Sequence, residues 1–229
     1  MINAILFISL LLTPCYSLPL GVTTDGFDPA ALYQEIQPLT EKLSAISGIP
    51  QHQVLYEIFG ELHFEHIRTE SINYNCFSTL KCYGDHDILG DPMAHGLLIH
   101  ELGHRFLNNT GKPFTDFAYS LGYYENGAYV HVSGINPVTN KFERTPLGYP
   151  EQGQPYEMHG CISPDYHSFK EDIADMFMGW ALGNFTDDEA GRLRYGWMDA
   201  FVRSTLKKKG MIKMSFHPRI SRPIIALTQ

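Results

Sequence analysis

The stretch "LLIHELGHRF", Leu97 to Phe106, decides how the chain is read. Leu97, Leu98, Leu102 and Phe106 recur at helical spacing, and Met93 extends the pattern upstream. Asp91-Pro92 is a start signal, a capping residue followed by proline at the first helical position. "NNTG", from Asn108, is a stop signal. A helix is therefore predicted from about Pro92 to Asn108. Three polar residues, His100, Glu101 and His104, interrupt its apolar surface. Burying them without partners would be costly.

Residues four apart on a helix lie on one face, one turn from each other. His100 and His104 can therefore present their imidazoles to the same ion. Zinc accepts neutral imidazole nitrogen, and a catalytic zinc takes three protein ligands and keeps one position for water. Glu101 is rotated about 100° from His100. It can stand beside the ion as a base for that water, whose pKa falls to about 7. The chain has 11 histidines, yet the three residues would fall in this register in only roughly a few per cent of such compositions. Gly103 removes bulk where another chain could approach the helix.

"HELGH" resembles the active-site helix of the zincin superfamily of zinc metallopeptidases. It does not resemble the metzincin branch, because Leu107 and Thr110 stand where that branch has glycine and a third histidine. In gluzincin-type zincins the third ligand is a glutamate on a later helix, usually followed four residues on by an acidic residue. "SFKEDIADMFMGW" supplies Glu171 and then Asp175. The resemblance implies that His100, His104 and Glu171 hold one zinc per chain. It also implies that Asp175 orients a ligating histidine by accepting its other N–H, which fixes the tautomer. The "EDIAD" stretch is similar to one found in uncharacterised metallopeptidase-like proteins and in the catalytic domain of lethal-factor-like toxins. Asp172 is the main substitute for Glu171. Glu125 and Glu157 lie in unpatterned sequence. A competing role for Glu171 is a capping box with Ser168, in which it turns back to the backbone. Tyr166 and His167 lie just upstream and can donate to a developing oxyanion. By analogy of fold, an extended substrate would lie along a strand edge around "STLKCYG".

The rest of the chain is predicted as α+β: a mostly helical zincin-like domain with a small sheet and the HExxH helix at its centre. Asp28-Pro29 starts a helix through Leu32, Ile36, Leu39, Leu43 and Ile46, which Gly48 ends; Pro38 should kink or split it. Val54 to Ile67 suggests another helix or helix pair, and Ser71 to Tyr83 one or two short strands. Residues 111–165 are rich in Gly, Pro, Tyr and Asn, with one strand or hairpin expected in "AYVHVSG". Ser168 is expected to cap a helix that Gly183 stops. A last helix runs from Thr186 to Gly210, with an acidic start and a basic end that suit its dipole.

The first residues, "MINAILFISLLLTPCYS", read as a signal peptide over 1–17, leaving a single domain over 18–229. Its apolar run is too short to span a bilayer. The mature chain is expected to be secreted or extracytoplasmic and free of the membrane. In that compartment Cys76 and Cys82 can close a short disulfide loop, with Cys161 left over or taking one place in the bridge. The net charge of −8 argues against nucleic acid as a partner. The expected partner is a peptide or protein substrate. Two alternatives carry different chemistry. In one, a fourth protein ligand such as Cys161 or His159 closes the site and makes zinc structural in a binding or toxin-type module. In the other, the same chemistry cleaves a non-peptide amide.

Overall fold

The computed structural model describes residues 17–70, 75–85, 88–90, 94–108, 124–125, 128–129, 134–135, 142–143, 166–187 and 189–212. The side chains of residues 166–172 lie outside that description, as do residues 1–16 of the expected signal peptide. No described helix is long and apolar enough to cross a membrane.

Asp28 and Pro29 start the first helix as their types require. The Asp28 carboxylate accepts from the Ala31 N–H at 2.9 Å, and α1 runs Pro29–Ser47. Gly48 closes it at φ 74°, a conformation that suits glycine. Pro38 does not split this helix. The carbonyl deprived of its donor belongs to Gln34, an exposed residue where water can replace the lost bond. Leu32, Ile36, Leu39 and Leu43 form a fully buried stripe, each contributing about 1.5–3 kcal/mol of burial.

The segment from Val54 to Ile67 divides where a helix or helix pair was expected. α2 spans Gln51–Phe59 and ends at Gly60. β2 follows, Leu62–Arg68, with Leu62, Phe64 and His66 buried and His63 and Arg68 exposed. That alternation of two is a strand signal. In the sequence it competes with a helical reading, because Ile58, Phe59 and Leu62 also fit helical spacing.

β1 (Val22–Asp25), β2, β3 (Asn75–Cys76) and β4 (Lys81–Gly84) form one sheet in the order β1-β2-β4-β3. β1, β2 and β4 are parallel, and β3 runs antiparallel to β4. Helices α1 and α2 make the crossover from β1 to β2. Cys76 and Cys82 face each other across β3 and β4 and are joined by a disulfide; Cys161 lies outside the described residues. "STLKCYG" is not the edge that was expected. Its strand, β4, is paired on both sides, and the outer strand is β3.

α3 spans Leu97–Asn108, starting later than Pro92. Gly96 sits at φ 89°, and a chain in that conformation cannot continue a right-handed helix upstream. α4 spans Tyr166–Leu182 and α5 Glu189–Lys208. Between α3 and α4 lie two short ribbons, β5 (Tyr124–Glu125) with β6 (Ala128–Tyr129), and β7 (Gly134–Ile135) with β8 (Phe142–Glu143). "AYVHVSG" contributes its two ends to different ribbons rather than forming one. Phe106 of α3 stacks on Phe177 of α4 at 5.1 Å and meets Phe201 of α5 edge-on at 5.7 Å. These rings join three helices in one core.

Candidate metal centre

α3 is buried on nearly every side, which marks it as the central helix. It packs on α4 more extensively than any other two described elements pack. Gly103 makes this approach close. A Cβ there would stand 3.0 Å from Ala174 Cα and 3.1 Å from Phe177 Cβ. The element that Gly103 admits is thus this chain's own later helix.

The close crossing sets two polar groups face to face. His100, fully buried on α3, places Nδ1 2.7 Å from Oδ1 of Asp175 on α4. A carboxylate only accepts, so His100 Nδ1–H donates and a neutral ring keeps its lone pair on Nε2. That nitrogen lies 3.1 Å from His104 Nε2, one turn further along the helix. Two nitrogens bonded at about 2.05 Å to one tetrahedral zinc stand roughly 3.3 Å apart. The two imidazoles therefore fit a shared cation, which can take the place of the hydrogen between them. Glu101 is buried beside them at 2 % exposure.

Among the described residues no three His, Cys, Asp or Glu side chains form a complete metal-holding group. The side chains of Glu171, Asp172, Tyr166 and His167 lie outside the described residues, as do His159 and Glu157 entirely. The backbone nevertheless places their positions. Tyr166 and His167 open α4 rather than preceding it. Positions 167, 171 and 175 fall on one helical face at intervals of four. Ser168 has a helical backbone, whereas a capping box requires its cap residue outside the helix. That capping role would need the helix to begin just after Ser168, whereas α4 begins at Tyr166.

Two charged residues of α1 also reach these helices. Glu35, buried on the apolar stripe, accepts from the Gly96 N–H and lies 3.1 Å from His95 Nδ1. Lys42 donates to the Trp180 carbonyl near the end of α4, with its ammonium 4.9 Å from the ring centres of both Trp180 and Tyr195. Burial pushes the Lys42 ammonium below the usual lysine range, and Asp199 partly opposes that shift. Sequence reasoning passed over both residues. Glu35 carried a signal, since it sits between Leu32 and Leu39 on a stripe that must be buried.

Among the described residues, the stretch His63 to His66 forms no such centre. His63 is exposed and bonds Thr23 Oγ1 at 2.9 Å, while His66 is buried and stacks on Phe27. Compared with known proteins, the chain matches no family model, no curated protein and no solved structure.

Proposed function

We propose that this chain is a secreted zinc metallopeptidase of gluzincin type, acting on a peptide or protein substrate with one zinc per chain. What supports this is one observation: Asp175 accepts from His100 Nδ1 while His100 Nε2 and His104 Nε2 converge. A carboxylate that holds the far nitrogen of an imidazole fixes its tautomer and raises its basicity toward a metal. His100, His104 and Glu171 would hold the zinc. A bound zinc supplies Lewis acidity, polarising the scissile carbonyl and lowering the pKa of water to about 7.

The chain's own residues carry the proton chemistry. Glu101 takes a proton from the attacking water and delivers it to the leaving amine. Glu101 is buried and follows His100 directly on α3. Asp175 keeps His100 Nε2 free of hydrogen. Tyr166 or His167, at the start of α4, donates to the oxyanion. The test is digestion of a broad peptide library by wild type and by Glu101→Gln. Wild type is expected to cleave peptides, and the variant to be slower by about 10²–10⁴-fold. Equal rates in the two proteins would overturn the assignment of Glu101.

A further inference from the structure

Glu35 and Lys42 are seven residues apart on α1 and so lie on one face, two turns from each other. Each reaches a different helix of the candidate site, at ends that lie side by side. Gly96, just before α3, packs against Met178 and Leu182 at the end of α4. Glu35 puts a carboxylate on the N-terminal end of α3, where the helix dipole is positive. It does from another helix what the glutamate of a capping box does from within. Lys42 puts an ammonium on a carbonyl at the C-terminal end of α4, where the dipole is negative. The backbone bond from His100 N–H to Gly96 O, 2.9 Å, leads straight from the first clamp to the metal-facing histidine.

We infer that α1 is a brace for the site. Glu35 and Lys42 are positioning residues that set the relative placement of α3 and α4, and through it the His100–Asp175 contact. Two features separate this from general packing. The clamps are matched in sign to the helix ends they hold. Both also sit on the same face of one helix, so a shift of either helix end along the other would stretch a charged contact. The metal consequence rests on the zinc site proposed above; the placement of His100 does not.

The experiment therefore has two arms, both on the full chain. In the metal-free protein, nitrogen NMR reads the tautomer of His100, its signal identified by its change in Asp175→Ala. In parallel, cobalt(II) is titrated against a competing chelator, with its visible spectrum as readout. The variants are Glu35→Ala, Glu35→Gln and Lys42→Met. The control is Leu206→Ala, a core truncation eleven residues and roughly 16 Å along α5 from Tyr195. Wild type is expected to hold the Nδ1–H tautomer; Glu35→Ala and Lys42→Met are expected to mix tautomers and to weaken cobalt binding about tenfold. Glu35→Gln keeps an acceptor for Gly96 and is expected to lose about threefold, which keeps the test open if the alanine variant fails to fold. Leu206→Ala should match wild type in both arms despite its lower stability. Wild-type tautomer and affinity in Glu35→Gln and Lys42→Met would overturn the brace, as would equal disturbance by Leu206→Ala. A wild type that binds no cobalt would refute the zinc site, and the tautomer arm would still decide the brace.

Discussion

"HELGH" on α3 and "HFEH" on β2 are both two histidines in a short stretch with a glutamate between them. The structure sends them to opposite ends of usefulness. On α3 the spacing of four matches the helical turn, and the two Nε2 atoms meet at 3.1 Å. On β2 the spacing of three is odd, and a strand turns odd neighbours to opposite faces. His63 accordingly meets solvent, and His66 enters the core. Their surroundings differ as well. His100 has a carboxylate on Nδ1 and an imidazole on Nε2, whereas His66 Nε2 finds no hydrogen-bond partner among the described residues. Ligand-type residues become a candidate site only when backbone period and a neighbouring element both turn them toward one point.

Asp175→Ala gives the largest expected effect. It strips the Nδ1 partner from His100 and so makes that ring more like His66. Zinc affinity should fall by about 10–100-fold, and stability by about 1–3 kcal/mol for the orphaned N–H. Chelator competition and urea unfolding measure the two; unchanged affinity would show that the carboxylate does not tune the ligand. Gly103→Ala comes next. Alanine favours a helix by about 1 kcal/mol, but its Cβ would meet Ala174 Cα at 3.0 Å. Overpacking of about 1–3 kcal/mol should prevail and leave the variant net less stable. A more stable variant would mean that the crossing of α3 and α4 is looser than described.

The two remaining variants concern the other side of the comparison and the brace. His66→Phe removes a buried nitrogen that lacks a partner and keeps a ring against Phe27. Its stability should stay within about 1 kcal/mol of wild type or rise, with zinc affinity unchanged. Any loss of zinc would join the β2 histidines to the site. Lys42→Met tests the lowered lysine pKa. Between its folded value and the usual lysine value of about 10.4, the unfolded chain binds the proton more fully than the folded one. Wild-type stability should therefore rise relative to Lys42→Met as pH goes from about 8 to about 10. Urea midpoints of the two proteins at both pH values check the sign.

Much of the helical frame was legible because its punctuation is local. Asp28, Pro29 and Gly48 bound α1 without help from distant residues. The spacing of Glu171 and Asp175 flagged one face of α4, and Asp175 does meet His100. What stayed hidden depends on contacts between elements. Gly96 starts α3 late because its left-handed turn lies against Met178 and Leu182, far along the chain. β2 reads as helix in the sequence because Leu62 fits both periods, and only its pairing with β1 and β4 decides between them. Glu35 could be seen as a charge on an apolar stripe. Its partner, a backbone N–H 61 residues away, could not.

The most direct measurement is the zinc content of the purified full chain after equilibration with zinc buffer, for wild type and His104→Ala. One zinc per chain in wild type, and its loss in His104→Ala, is the predicted result. A wild type that retains no zinc, or a His104→Ala protein that binds it as tightly, would contradict the account.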